Sequence, residues 1–410
     1  MWLRDQKQLS PMNIEILTGQ ILDKIPNITK WQRQFMQHLF KLLLVIRGRH
    51  NFENLSRYGH HNEATYRSWY ARSFDFALFN SLLIDSLPQE ERVIAFDPSY
   101  LPKSGKHTAG MGYFWSGCAN STQYGLELAG FASIGLQTQT ALHICAKQTI
   151  HHENYDSLVK YYESLLPLYE SELKQVSQVV VADAYFAKSS FVEAVVNQGF
   201  HLVSKLRSDC VLLTPYTGEK SKGRGRPKKY DGRVDLLNPD SKHFLVISKD
   251  DQHTLYEGIV YVKAFKRKVK CIILHTHNSK GNIKKDILFS TDIQMQGQKI
   301  LQIYKLRFQI EFLYRDAKQF TGLTQCQARS ENKIHTHINA SLTAVSLAKV
   351  LHHLVKDQNE VKPFSMASIK SNYFNEHFLD LFFNSFGIPP EQHKNSSSYM
   401  KLFNYGAIAA

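Results

Sequence analysis

Three acids and one stripe of polar side chains hold the residue types in this sequence that could do chemistry together. Asp97 and Asp183 each close a short apolar run, RVIAFD and QVVVAD. A strand buried on both faces finishes in a carboxylate where that end opens to a site. Ligands of open α/β sheets gather at the carboxyl ends of strands. Either aspartate also reads as a cap or turn residue, since Pro98 directly follows Asp97. The third acid, Glu311, lies in YKLRFQIEFLYRDAK, Tyr304 to Lys318. The spacing predicts one helix. With Tyr304 as the origin and about 100° per residue, Arg307, Glu311 and Lys318 fall at roughly 300°, 340° and 320°. Leu306, Ile310, Leu313 and Ala317 fall opposite, between roughly 180° and 240°. Such a helix packs by one face and offers Tyr, Arg, Glu and Lys from the other. Taken alone, that face also reads as a solvated one with i,i+4 pairs, Arg307 to Glu311 and Glu311 to Arg315.

Two aspartates on adjacent strand ends repel each other, and a divalent cation resolves the repulsion. Mg²⁺ prefers hard oxygen ligands, with Mn²⁺ as a substitute, and shares its shell with waters and phosphate oxygens. A third carboxylate from a helix laid across the strands completes a site for two ions. Two ions about 4 Å apart activate a nucleophile and stabilise the leaving oxygen of a phosphodiester.

The elements that must position these groups are legible along the chain. With 410 residues and 43% hydrophobic content, the chain is long enough for two or three domains. Residues 1–91 read as a helical N-terminal domain. ITKWQRQFMQHLFKLLLVIRG places Trp31, Phe35, Leu39, Leu42, Leu43 and Ile46 at helical spacing. NFENLSRYG is a short helix, and residues 62–87 read as one longer helix with Asn62 as N-cap. With Arg67 and Arg72 on the second, this pair fits a helix-turn-helix DNA reader or a bundle packed on the next domain. Residues 92–207 alternate strands and helices, a mixed α/β pattern. Within them, 155–176 reads as one amphipathic helix.

Residues 208–292 alternate like strands and form a basic β-rich insertion, with Gly281-Asn282 as a hairpin turn. Residues 293–355 return to helix, and 356–410 form a tail in which FNEHFLDLFFNSF reads as a helix docked by its Phe residues.

Charge points to a polyanionic partner. The formal net charge is +14, and residues 201–290 alone carry 19 Lys and Arg against 9 Asp and Glu. An excess of this size favours nucleic acid first and an anionic membrane second. No apolar run reads as a bilayer span. The polar, Pro-containing start lacks the apolar core of a signal peptide. Five scattered cysteines without a CxxC pair indicate neither a zinc site nor a disulfide framework and fit a reducing, cytoplasmic setting.

Within the insertion, Gly223-Arg224-Gly225-Arg226-Pro227 reads as an arm for an A·T-rich minor groove, or as a basic loop that meets phosphates. Lys266-Arg267-Lys268 with Lys270 reads as a hairpin-end cluster that grips phosphate. His151-His152, His335 and His337 lack a metal-ligand pattern and read as ordinary.

Taken together, these motifs identify a resemblance. The chain resembles the DDE transposases of bacterial insertion sequences, of the insertion-sequence-four type. That type's signature is Tyr, two residues, Arg, three residues, Glu, six residues, Lys, and it stands intact as Tyr304, Arg307, Glu311 and Lys318. The contexts IAFDPSYLPKSGK and VVVADAYFAKSSF around the aspartates are also similar, as are LFSTDI and TGLTQCQARSENKIHTHINASL. The likeness spans residues 92–353 and the LSRYG…TYRSWYARSFD segment upstream.

The resemblance implies a ribonuclease-H-like mixed sheet flanked by helices, with Asp97, Asp183 and Glu311 as catalytic metal ligands. Two Mg²⁺ ions would be the cofactors. Tyr304, Arg307 and Lys318 would hold phosphates of the transposon end. The partners would be transposon-end and target DNA, with a homodimer in the paired-end complex and a bacterial, nucleoid-associated setting. The insertion would help grip the end, where the family carries a stacking Trp. Here Trp2, Trp31, Trp69 and Trp115 all lie outside it, leaving Tyr261 or Phe265 as substitutes. Two other readings compete: a ribonuclease-H-fold nuclease that does not join strands, and a non-enzymatic DNA-binding protein derived from a transposase.

Overall fold

The computed structural model describes residues 13–150, 155–219, 227–277, 282–355, 363–394 and 396–408. Among the described residues, five helices come first: α1 (Ile14–Leu22), α2 (Lys30–Val45), α3 (Phe52–Tyr58), α4 (Glu63–Tyr70) and α5 (Phe76–Asp85). Each starts at a side chain that accepts a first-turn amide, namely Asn13, Thr29, Asn51, Asn62 and Asp75. The single helix expected over residues 62–87 is therefore two. Asp75 takes the Leu78 amide at 2.9 Å and starts a new helix.

The sheet follows with β1 (Arg92–Leu101), β2 (Gly112–Ser116), β3 (Ser121–Gly135) and β4 (Ala141–Gln148). Next come α6 (Leu158–Leu168), α7 (Glu170–Val176), β5 (Val179–Val181), α8 (Ser189–Asn197) and β6 (His201–Leu206). Here too one expected helix is two. Pro167, which has no amide to give, sits at the end of α6, and the chain bends at Tyr169. In space these strands run β4-β3-β1-β5-β6, antiparallel on the β3 side of β1 and parallel from β1 through β5 to β6.

The basic stretch contributes β7 (Leu212–Pro215), β8 (Tyr230–Arg233), β9 (Phe244–Lys249), β10 (His253–Val262), β11 (Arg267–His277) and β12 (Ile283–Ser290). β12 pairs antiparallel with β6, so these strands continue the same sheet outward as β12-β11-β10-β7-β8. The result is a 12-stranded mixed sheet flanked by helices, the ribonuclease-H-like α/β class that the sequence leads one to expect.

The remaining helices are α9 (Gly297–Leu306), α10 (Gln309–Phe320), α11 (Glu331–Val355), α12 (Met366–Ser385) and α13 (Ser397–Phe403). α11 is the hub between the leading helices and the sheet. It is long and apolar enough to cross a membrane, contrary to the reading of the sequence, but 72% of its most apolar stretch is buried inside the protein. Its polar residues are spent internally. Asn339 Oδ1 accepts the Ala146 amide at 3.0 Å and its Nδ2 donates to the Ala146 carbonyl at 3.0 Å, pairing with β4 as another strand would. Thr343 donates to Asn80 of α5 at 3.1 Å.

α12 departs from expectation. It buries Met366 and Leu379, while Phe378, Phe382 and Phe386 face outward. These three therefore do not dock it, whereas Phe374, under the Arg47 guanidinium, and Phe383, stacked on His393, are half-buried contacts. Gly281, His151-His152 and the Arg224 and Arg226 arm lie outside the described residues.

Candidate active site

The parallel ladder between β1 and β5 fixes the two aspartates. Its register pairs Ile94 with Val180 and Ala95 with Val181, and β5 ends at Val181. Asp97 and Asp183 each stand two residues beyond the members of that last pair. β1 itself runs on to Leu101, held only by β3 from the other side. Asp97 is thus mid-strand rather than terminal, and it faces an opening where its parallel partner has stopped. The Asp183 side chain accepts the Tyr185 amide at 2.8 Å and starts a short 3₁₀ turn, while Ser204 of β6 donates to its carbonyl at 2.8 Å. The cap reading of Asp183 is thus what the structure shows.

The one helix expected from Tyr304 to Lys318 is two. At Arg307 and Phe308 the hydrogen bonds tighten to i→i−3, with Arg307 N to the Tyr304 carbonyl at 3.2 Å and Ile310 N to the Arg307 carbonyl at 3.3 Å. Both residues keep right-handed dihedrals. The four residues are divided by the turn. Tyr304 lies in the last turn of α9 near the Lys205–Asp286 pair of β6 and β12, which closes to 2.6 Å. Glu311 and Lys318 lie on α10, and Lys318 Nζ donates to Ser99 Oγ at 2.9 Å and to the Tyr100 carbonyl at 3.1 Å on β1.

Arg307, at the turn, reaches both ways. Its Nη1 lies 3.8 Å from Asp97 Oδ1 and its Nη2 3.0 Å from Glu311 Oε1. Burial opposes its charge, but Asp97 and Glu311 together hold the guanidinium above its usual range. Burial pushes the Asp97 carboxyl up to about 8; Arg307 opposes the rise, and the charges of Glu311 and Asp183 add to it. Asp183 is raised as well, again mainly by burial. Burial raises the Tyr304 phenol and lowers the Lys318 ammonium.

Three carboxylates thus act on one another electrostatically. Among the described residues, however, no three His, Cys, Asp or Glu side chains are grouped closely enough to form a finished metal cage, and Glu311 is held by Arg307. The donor chemistry still fits a hard divalent cation. All three groups are carboxylates; burial is the main cause of the raised Asp97 carboxyl, and the charges of Glu311 and Asp183 add a repulsion that such a cation relieves.

The hairpin-end cluster is not brought here. Lys266 sits in the β10–β11 turn at φ 52°, and Arg267 and Lys268 begin β11. β10 lies four strand steps from β5, or about 19 Å at a strand spacing near 4.8 Å. Of the two aromatic residues suggested for stacking, Phe265 is buried against Phe289, and Tyr261 faces Tyr230 at 5.0 Å between ring centroids.

The sequence reading missed Tyr314. It is buried on α10, one turn after Glu311, and its hydroxyl donates to the Asp97 carbonyl at 2.8 Å. Gly130, opposite Asp97 on β3, leaves it room. A Cβ there would lie 2.5 Å from that hydroxyl. A buried Tyr at i+3 from Glu311 was the available signal.

Residues 161–347 match the transposase DDE domain family, DDE_Tnp_1. The matched span holds Asp183, Tyr304, Arg307, Glu311 and Lys318, while Asp97 precedes it. The match supports a DDE transposase, a class that uses divalent metal ions and acts on DNA. Comparison with curated proteins gives no match.

Proposed function

We propose that the chain is the transposase of a bacterial insertion sequence, of the insertion-sequence-four type. It binds terminal inverted repeats, cleaves DNA by two-metal hydrolysis and joins the freed 3′-hydroxyl to target DNA, as a homodimer in the paired-end complex. One observation carries the reading. Asp97 and Asp183 stand at matched offsets past the last parallel pair, facing the turn that presents Arg307 and Glu311.

Asp97, Asp183 and Glu311 would hold the metal ions, with Mg²⁺ as the natural cofactor and Mn²⁺ as a substitute. When bound, the ions supply nucleophile activation and leaving-oxygen stabilisation for in-line displacement. The rest falls to the protein's own side chains. Arg307 places a forked, permanent charge beside Asp97, suited to a phosphate oxygen. Lys318, anchored on Ser99 and Tyr100, adds a second cation alongside β1. Tyr304 offers a half-buried ring and hydroxyl on the Asp183 side. Tyr304 and Lys318 sit on helices packed against the sheet and Arg307 at the turn between them, which would keep phosphate and carboxylates in one register. Lys266, Arg267 and Lys268 would add grip on DNA away from the reacting phosphate, and Arg224 and Arg226 would also contact DNA.

A strand-transfer assay tests this reading. With Mg²⁺ and a DNA carrying the flanking inverted repeat, the protein should insert that end into a target plasmid. Cleavage without joining would replace the reading with a nuclease, and metal-independent binding without cleavage would replace it with a DNA-binding protein.

A further inference from the structure

Away from the carboxylates, a cleft of about 1060 Å³ opens between α4, the segment after β1 and the loop that leads into α11. Its charged lining consists of Arg49, Arg67, Lys103, Arg329 and Lys333, with no Asp or Glu among the described lining residues. We propose that this cleft binds the backbone phosphates of duplex DNA on one side of the phosphate held at Asp97. The inference rests on the transposase reading for which DNA is held, and on the cleft alone for the fact of binding.

The cleft is built rather than incidental. The Lys103 ammonium donates to the Cys326 carbonyl, and the Ala109 amide donates to the Arg329 carbonyl at 3.0 Å, so the two loops are stitched together. Gln325 accepts the His50 amide at 2.7 Å and ties the same loop to the leading helices. These bonds hold like charges at close quarters. Burial lowers the Lys103 ammonium, and the charge of Arg329 lowers it further. An anion in the cleft relieves that repulsion. Thr108 also lines the cleft, with its hydroxyl buried beneath that surface and without a hydrogen-bond partner among the described residues. Arg67 is shared, since it also pairs with Glu63 one turn earlier.

Position supports a DNA strand rather than a small anion. β1 carries Asp97, then Ser99 and Tyr100 under Lys318, and Lys103 follows two residues after the strand ends. At full extension the six residues from Asp97 to Lys103 reach at most roughly 20 Å. Along one strand of B-DNA, phosphates recur every 3.4 Å or so of axis, so this span corresponds to about six nucleotides. The carboxylates, Lys318 and the cleft therefore lie in sequence along one backbone path.

The test is fluorescence anisotropy of the full-length protein with a labelled random-sequence DNA duplex, in EDTA, over a range of salt. The variants are Arg329→Gln, Lys333→Gln and their combination, chosen because both side chains lie outside the stitches, with Lys24→Gln as a surface lysine elsewhere. Each cleft substitution should lower the slope of log K against log salt by about one and weaken binding about eightfold near 0.1 M salt, whereas Lys24→Gln should change neither. An unchanged slope, an equal loss from Lys24→Gln, or an equal effect on single-stranded DNA would overturn the proposal. If the slope falls as expected but the protein never nicks DNA, the cleft stands and the transposase reading fails. Nicking with an unchanged slope gives the reverse.

Discussion

Arg307 Nη1 lies 3.8 Å from Asp97 Oδ1, and the same guanidinium holds Glu311 at 3.0 Å. One cation therefore separates two of the three acids proposed to share metal. Removing it leaves the buried Asp97 carboxyl facing a half-exposed Glu311 with no cation between them. Arg307→Ala should lower the melting temperature more at pH 9 than at pH 6, because Asp97 keeps its proton up to about 8. The difference should amount to about 2 kcal/mol. Arg307→Lys should not restore DNA cleavage, since an ammonium cannot fork to two partners. Thermal melts at the two pH values and a nicking assay check both statements.

Asp97 gives a pH signature of its own. Its folded carboxyl is raised to about 8 by burial, above its ordinary value of 3.8. Its stabilising contribution is therefore full below the unfolded pKa and is lost as pH rises through about 8. Asp97→Asn should accordingly be more stable than wild type by about 1–3 kcal/mol at pH 9 and indistinguishable near pH 4. Denaturant melts across this range measure it.

Divalent cations should act in the opposite sense on the same group. Binding must displace the Asp97 proton, so affinity is linked to pH. The rise in melting temperature on adding Mg²⁺ or Mn²⁺ should be larger at pH 8.5 than at pH 6, and it should vanish in Asp97→Asn. Differential scanning fluorimetry with and without the metal provides the comparison.

Tyr314 and Gly130 form a testable pair. Tyr314→Phe leaves the Asp97 carbonyl without its 2.8 Å donor and should cost about 1 kcal/mol. Gly130→Ala places a methyl 2.5 Å from that hydroxyl and should cost more. In the double variant the clash is gone, so the two costs should combine to less than their sum. Urea unfolding of the four proteins closes the cycle.

Asn339 tests the hub. Its side chain satisfies both the amide and the carbonyl of Ala146 on β4. Asn339→Ala leaves two buried backbone groups unpaired and should destabilise by about 2–4 kcal/mol. DNA cleavage by the surviving folded fraction should be unchanged, which a nicking assay normalised to folded protein would show.

The sequence made some of this legible and hid the rest for physical reasons. The strands around Asp97 and Asp183 are visible because apolar, β-branched runs of that length have few alternatives. What places the acids side by side is the Ala95–Val181 register, a non-local pairing that no local pattern encodes. Helix content is also readable, but helix breaks are not. Asp75 and Pro167 interrupt runs whose periodicity continues past them. The turn at Arg307 is harder still, because neither residue there is a Gly or a Pro and the dihedrals stay helical. Phe378, Phe382 and Phe386 of α12 show the reverse error, since apolar composition predicts burial that the fold does not provide. The cleft around Lys103 draws on three segments far apart in the chain, so its cations look like scattered surface charges until they are folded together.

The central claim is that Asp97, Asp183 and Glu311 serve one metal centre. Mn²⁺ binding followed by electron paramagnetic resonance tests it directly, in wild type and in Asp97→Asn, Asp183→Asn and Glu311→Gln. Each single substitution should weaken Mn²⁺ binding at least tenfold, as expected for ligands of a shared site. Wild-type binding in any one of the three would contradict the account.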